Sequence, residues 1–550
     1  MGCKISVKAE LMTLYVDDDN ITAPWDGTKE HPYQNITSAL ANSTDGHVIF
    51  VRAGIYYEHV IIDKSISLIG EGRDSTIIDG SGIGTVISIT AAASNVSLKG
   101  FTIKNSGITP SDSGILVERS NDNTISHNII INNYYGISLR ARGNMVSDNV
   151  ISSNTYGINL QSSSTDNMIS DNVISFNIVY GISIDTSVNN VVLNNSISDN
   201  SDGIYFFYST GNMVSGNTFF SNDVYGIGFF TSSNNIVSSN TITSNDGGMY
   251  LSASASNVIY GNNFDNALQV KLVGIPLANV WDDGEKGNYW SDYNGIDTNG
   301  DGIGDTIYTI DVNNQDKYPL MGTFSDFNIT LERDTYHVTT ICNSTVSDFR
   351  FETGLETGNR IIRFRVTGEE GTVGFCRIMI PTELMDYYYV ILVDDKETLP
   401  TLLEAISDET YVHLYFTYKH SSHTITVISS LVRKLEIDLY NLNATYYALL
   451  KNYSELQQSY NETNKSYQAH LANYSVLLGN HSELQQGYRA LNDSYHEYLL
   501  DDSKNAHNIR TLMYIFATTT AIFLIITIYL SKRAHGIPAF WGKTADQTKL

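Results

Sequence analysis

The sequence predicts a mainly β chain: a right-handed parallel β-helix, then an immunoglobulin-like β-sandwich, a coiled-coil stalk and one transmembrane helix. Three observations predict it. Residues Asn95 to Asn263 repeat a unit of about 22 residues, Val432 to Tyr498 keeps a heptad, and Leu512 to Leu530 is apolar throughout. The expected boundaries are a lead-in over 1–32, the β-helix over 33–278, a cap with an EF-hand-like loop over 279–323 and the sandwich over 324–430. The stalk follows over 431–505, the membrane helix over 510–531 and a tail over 532–550.

The repeat is the primary signal. The glycine of a recurring Gly-Ile pair (Gly-Met in the last unit) falls at Gly114, Gly136, Gly157, Gly181, Gly203, Gly226 and Gly248, in steps of 22, 21, 24, 22, 23 and 22. Each unit holds short alternating strands divided by Asn, Ser and Gly, with no room for a crossover helix, so one unit is one coil of three strands. In such a solenoid equivalent side chains stack about 4.8 Å apart. Asn128, Asn149, Asn172, Asn195, Asn217, Asn240 and Asn262 form one expected column, and Asn123, Asn144, Asn167, Asn190, Asn212, Asn235 and Asn257 another. Their amides suit a structural hydrogen-bonded ladder. Asn35 to Ala41 reads as a short amphipathic helix closing the open end.

Between Phe324 and Ser430 the period changes to about seven longer alternating strands, the pattern of a sandwich with its own core. The heptad of the stalk places Val432, Leu439 and then mainly tyrosines at one seam position and Leu435, Leu442 and their successors at the other. At about 1.5 Å per residue it would reach roughly 100 Å, and its seam offers self-association. Sequons at Asn443, Asn452, Asn461, Asn464, Asn473, Asn480 and Asn492 crowd the stalk and mark expected glycosylation. Leu512 to Leu530 is long enough to cross a bilayer, and Lys532, Arg533, Lys543 and Lys549 behind it predict a cytoplasmic tail and an outward-facing bulk at the cell membrane. The first thirty residues hold no signal-peptide-like apolar run, so an export signal is expected upstream of Met1.

Composition narrows function. The net charge of −26 excludes a nucleic-acid partner, which needs clustered Lys and Arg. Three cysteines, Cys3, Cys342 and Cys376, are too few for a disulfide framework, although Cys342 and Cys376 could pair within the sandwich.

The opening VIFVRAGIYYEHVIIDKSISLIGEG, the N-x-I-S-x-N-x-I units and the closing GNYWSDYNGIDTNGDGIGDTIYTIDVNNQDKYPLM resemble the NosD-like parallel β-helix proteins, pectin-lyase-like in fold and common on archaeal surfaces, over roughly Tyr15 to Met321. The resemblance implies the fold strongly and function weakly, because the superfamily spans lyases, esterases, epimerases and inert binding or structural proteins. It leaves a carbohydrate-binding, adhesive or structural envelope protein as the leading expectation, with a polysaccharide lyase or hydrolase and a copper-site maturation factor as alternatives.

Candidate residues follow from the columns. Glu118, Arg140 and Asp185 stack on one strand face and are the candidates for acid–base catalysis, though neighbouring opposite charges more often form a salt-bridged ladder. Further along, Tyr205, Phe207, Phe230 and Tyr250 could stack on sugar rings or on one another. Asp297, Asn299, Asp301, Ile303 (through its carbonyl) and Asp305 stand at calcium-loop positions with Gly302 sixth, but Tyr308 holds the twelfth place and a last ligand would have to come from Asp311 or Asp316. A structural Ca2+ is the one cofactor expected. For copper, Met145, Met168 and Met213 share a ladder position that packing in the core explains more simply, and His420 and His423 lack a third ligand.

Overall fold

Seven successive coils turn on the same pair of positions. His127, Asp148, Asp171, Asn194, Gly216, Ser239 and Gly261 take left-handed φ values between 55° and 68°, a conformation that Asn, Asp and Gly reach at least cost. The next residue is in each case a buried asparagine. Its amide nitrogen donates to the amide oxygen one coil on, as from Asn149 to Asn172 and Asn172 to Asn195 at 3.0 and 2.9 Å. The same oxygen takes the backbone N–H of the preceding asparagine, from Asn149 to Asn172 at 3.0 Å, so the row ties turn to turn.

The computed structural model describes residues 12–501 and 506–534, apart from 276, 355–357 and 386–387. Cys3, Lys543 and Lys549 lie outside the described residues.

Three parallel sheets wrap the solenoid. Sheet 1 runs in eleven strands from Thr13–Val16 to Val258–Tyr260, sheet 2 in eleven from Gly54–Tyr56 to Tyr289–Trp290, and sheet 3 in ten from Val60–Ile62 to Leu268–Val273. The first strand comes from the expected lead-in, with Thr13–Val16 pairing in register with Val48–Val51. Helix α1 (Ile36–Ala41) buries Ile36, Ala39 and Leu40, and the Asn35 side chain accepts from the Ser38 N–H at 2.8 Å as its N-cap. Inside, columns such as Ile115, Ile137, Ile158, Ile182, Ile204 and Ile227 are fully buried. A side chain at Gly136 would meet the Gly157 carbonyl at 2.5 Å, which explains why the Gly-Ile glycine recurs where coils approach closely.

The three-residue strands of sheet 1 correct one expectation. Only their central residues, such as Val146, Ile169 and Val214, face the core, while Met145, Met168 and Met213 are 41%, 38% and 36% exposed. Period-two alternation decides this: the flanking positions point outward whatever their polarity. These methionines therefore do not pack in the core.

A third amide row, Asn133, Asn154, Asn177, Asn200, Asn222, Asn245 and Asn266, accompanies the two expected ones. At the C-terminal end the row through Asn257 passes through Asn279 to Asn314 and finishes on the Asp311 carboxylate at 2.9 Å. The row through Asn262 passes through Asn288 to Asp316, which takes the Asn288 and Tyr318 backbone N–H groups and the Trp290 indole at 2.7, 3.0 and 2.9 Å. Burial pushes the Asp316 carboxyl up to about 6 even against these N–H donors. Trp290 closes the core, stacked between Phe264 and Tyr308 at 4.5 and 4.3 Å.

Residues 323–429 form two five-stranded antiparallel sheets, one built on Thr323–Leu331, Asp334–Cys342, Val373–Pro381 and Tyr411–Lys419, the other on Thr345–Thr353, Arg360–Thr367, Ser422–Ser429 and Tyr389–Val393. Val338, Ile378 and Phe416 of the first meet Ile362, Phe364 and Val427 of the second in one core. Cys342 and Cys376 are register partners on adjacent strands, both buried and both thiols. A hydrogen bond with the Cys376 thiol holds Cys342 down near about 7, whereas burial pushes Cys376 up.

The remaining unit is helical. Helix α2 (Leu431–Asp501) is continuous for 71 residues, and its seam from Leu435 to Tyr474 is exposed. Helix α3 (Ala506–Ala534) contains Leu512–Ser531, long and apolar enough to cross a membrane. The rings of Tyr488 and Tyr495 approach Phe516 at 5.5 and 6.4 Å.

Because each ladder amide serves two coils, Asn172→Ala strands donors and acceptors on both sides of one turn. It should lower stability by about 2–4 kcal/mol, read as a fall in Tm, while the exposed Thr218→Ala should change it by less than about 0.5 kcal/mol.

Candidate functional site

Sheet 3 is the broadest outward face of the solenoid, because most of its strands carry five or six residues where those of the other sheets carry mostly three. Its outward positions form three columns. The first reads Tyr135, Tyr156, Tyr180, Asp202, the second Ser138, Asn159, Ser183, Tyr205, Gly228, Tyr250, and the third begins with Glu118 and Arg140 and continues through Asp185, Phe207 and Phe230.

The polar end of the face is internally neutralised. Arg140 pairs with Glu118 at 3.2 Å, and Arg119 approaches the other Glu118 oxygen at 3.8 Å. With its amide oxygen turned inward, Gln161 accepts from the Arg140 Nε and Nη2 at 3.0 and 3.1 Å. Asp185 accepts from the Thr186 hydroxyl at 2.8 Å. Glu118, Arg140 and Asp185 thus lie along one column, where Glu118 and Arg140 neutralise each other and Asp185 is bonded to Thr186, so that the two carboxylates are not brought together.

The aromatic end is continuous. Ring centroids follow one another at 5.1 Å from Tyr135 to Tyr156, 5.8 Å to Tyr180, 5.2 Å to Tyr205 and 4.6 Å to Phe207. Beyond that, Phe207 meets Phe230, and Tyr205 meets Tyr250, each at 6.3 Å. Two glycines let the rings lie flat: a side chain at Gly228 would sit 2.4 Å from the Tyr205 ring, and one at Gly247 2.5 Å from the Tyr225 ring. Over five coil steps of about 4.8 Å the row spans roughly 24 Å. Tyr205, Phe207, Phe230 and Tyr250 are half-buried, since each ring partly covers the next. Burial lifts the Tyr180 phenol to about 12 and pushes Tyr205 up as well, so both stay neutral through the physiological range.

Asp202 is the residue that sequence reading missed. It stands where the flanking coils carry tyrosine, is 8% exposed, and its Oδ1 has no hydrogen-bond partner. Burial pushes its carboxyl up to about 6. The signal lay in the alignment of repeats: the residue before each Gly-Ile glycine is Tyr at 135, 156, 180 and 225, and Asp at 202.

The EF-hand-like loop is preformed as a turn. Asp297 accepts the N–H groups of Gly300, Asp301 and Gly302 at 2.7, 3.1 and 2.8 Å, and Gly302 takes a φ of +83°. Asp301 caps Ile303, and Asp305 accepts from Thr298 at 2.8 Å. Of the expected closing ligands, Asp316 and one oxygen of Asp311 end the amide rows. Among the described residues, the one group of three acidic side chains whose ligand atoms lie within 4.8 Å of one another is Asp17, Asp18 and Asp19. Asp297, Asp301 and Asp305 do not reach that spacing.

The sequon asparagines Asn443, Asn452, Asn461, Asn464, Asn473 and Asn480 are exposed on α2, and Asn492 is half-buried.

Comparison with known proteins is informative for the fold. The family model described as periplasmic copper-binding protein (NosD) matches residues 40–229 and 167–295. The solenoid is a NosD-like parallel β-helix. No curated protein matches the sequence. Among solved structures, the chain is similar to the mannuronan C-5 epimerase AlgE4 A-module of Azotobacter vinelandii, with 15% identity, 50% of this chain and 93% of that one covered, and a TM-score of 0.35. It is also similar to an alginate lyase from a Paenibacillus species, with 15% identity, coverage of 46% and 94%, and a TM-score of 0.32. A lacto-N-biosidase from Eubacterium ramulus aligns at 12% identity, covering 49% and 68%, with a TM-score of 0.34.

Among the described residues, the methionines and histidines weighed for copper do not come together. Met145 and Met168 are register neighbours, but Thr124 and Val191 flank them and Val191 separates them from Met213. His420 is buried, bonded to Thr372 and to Ser344 at 2.8 Å, and His423 is held by Asp394 at 2.6 Å.

Proposed function

We propose that this is a membrane-anchored, outward-facing envelope protein that binds linear carbohydrate along sheet 3. The observation that carries the reading is the unbroken row of rings from Tyr135 to Tyr250, successive centroids 4.6–6.3 Å apart, flanked by hydrogen-bonding side chains. An elongated run of aromatic faces along the solenoid suits a polymer of repeating rings rather than a small molecule. The neutralised Glu118–Arg140 pair and the separation of Asp185 favour binding over cleavage. Helix α2, with its exposed heptad seam and sequon asparagines, serves as a glycosylated stalk, and α3 as the anchor.

Phe207→Ser combined with Phe230→Ser should leave the ectodomain folded, at a cost of about 1 kcal/mol for each stacked ring pair removed, and abolish retention on immobilised polysaccharide. Undiminished retention would assign the rings to covering the sheet, and shortening of the polymer would make the protein an enzyme.

For the anchor, the positive-inside rule applied to Lys532 and Arg533 puts the solenoid outside. Protease added to whole cells should then remove it, and protection would reverse the topology.

The loop from Asp297 to Asp305 is proposed to hold a structural Ca2+, supported by the sequence positions of Asp297, Asn299, Asp301 and Asp305 and by the left-handed Gly302. Saturating Ca2+ should raise the Tm by several degrees through mass action, and chelation should reverse it. Asp301→Ala should abolish the difference; a variant that responds like wild type places any calcium elsewhere.

A further inference from the structure

Asp202 breaks a rule that the other repeating coils obey. The ladder amides on either side of its coil, from Asn195 to Asn217 and from Asn200 to Asn222, are all paired, yet the Asp202 Oδ1 is buried with no partner. A tyrosine at this position would continue the row of Tyr135, Tyr156 and Tyr180 and bury no polar atom. A buried, unpaired carboxyl oxygen is unfavourable for folding alone, and its place within a surface row of rings points to a group brought by a ligand.

We propose that Asp202 is the polar anchor of the sheet 3 face, its free oxygen accepting a hydroxyl hydrogen from an uncharged sugar unit stacked among Tyr180, Tyr205 and Tyr225. This rests on the carbohydrate-binding reading above and narrows it to neutral polysaccharide. A uronate would bring a second carboxylate against Asp202, with Asp185 on the adjacent strand, and the arginine best placed to offset it, Arg140, is already held by Glu118 and Gln161. Tyr205 is a neighbour of Asp202, and its ring lies over Gly228 and against Tyr180, Phe207 and Tyr250. A sugar ring can take over that stacking as the phenol moves aside.

The arrangement makes binding depend on pH in a defined direction. The titratable groups facing Asp202 are the phenols of Tyr180 and Tyr205, with the backbone N–H of Tyr225 on the next coil. Both phenols are pushed up, first by burial, so Asp202 is the group that titrates near neutrality, at about 6. A donated hydroxyl favours the carboxylate over the acid, so affinity rises as pH climbs through 6 and levels above it.

The test uses the full chain in detergent, with retention measured on immobilised galactomannan, glucomannan and β-glucan as neutral probes and on polygalacturonate and alginate as acidic ones. Wild type should be retained by a neutral polymer about tenfold more tightly at about pH 7.5 than at about pH 4.5, one unit of linkage. Asp202→Asn, which can accept at either pH, should bind equally at both. Asp202→Ala should lose about tenfold at the higher pH, the weight of one hydrogen bond, while its melting curve stays cooperative. A flat wild-type pH profile, an Asp202→Ala variant that binds like wild type, or a preference for the acidic polymers would overturn the proposal. If the Phe207→Ser, Phe230→Ser pair loses retention and Asp202→Ala does not, the aromatic face stands without this anchor. If wild type is retained by none of the five polymers, both readings fall.

Discussion

The asparagine amide both donates and accepts along one line, and the solenoid is built on that property. At each turn the chain leaves backbone N–H groups pointing along the axis rather than into a sheet ladder, and in a buried turn these must be paired. The amide above accepts one, while its own nitrogen donates to the amide beyond and to carbonyls of its own turn, as Asn172 does to Ser170 at 2.9 Å. Serine also links coils, as where the Ser187 N–H donates to the Ser209 hydroxyl at 3.1 Å, but a hydroxyl has one hydrogen to donate where the amide has two, and aspartate would set acceptor against acceptor. Three such rows fix the corners of the cross-section, and the strands between them need only be short and alternately apolar.

This economy leaves the outer surface open to variation. Inward columns are held to Ile, Val, Leu and Phe, but the outward residues of sheet 3 change from an ion pair to tyrosine to phenylalanine within a few coils, with the backbone register unaltered. A chemically graded face on a rigid ruler can therefore arise by substitution alone. Gly228 and Gly247 show where the backbone has yielded side chains so that neighbouring rings can lie flat. The same freedom put methionines on sheet 1 facing solvent.

Much of this architecture is legible because a solenoid writes its geometry as a period. The Gly-Ile spacing and two of the three amide columns lead directly to coil number, pairing and register, and the apolar run leads to the membrane-competent helix. The third column, beginning at Asn133, is harder to see because it sits between the second and third strands of each coil, where the intervening residues vary. The three-residue strands mislead in another way: apolar identity at Met145 suggests an inward position, although only one residue in three faces the core there. Asp202 is harder still. Its significance comes from burial beneath neighbouring rings and from the lack of a partner, and neither is written in its own letter. The finer topology of the sandwich and the partner of the stalk seam depend on contacts between distant segments or between chains, which local periodicity does not encode.

The amide rows also have a direction. Each nitrogen points toward the C-terminal end, so two of the rows must finish on a group that only accepts, and they do so on Asp311 and Asp316 of one hairpin. At the other end the first oxygen of each row is met by a backbone N–H, from Val96, Phe101 and Ser106. Only the termini are chemically special; every interior coil presents the same donor upward and the same acceptor downward. A whole coil can consequently be duplicated or excised in frame without disturbing either boundary, and the length of the solenoid becomes a quantity that unequal recombination can adjust while the fold is conserved.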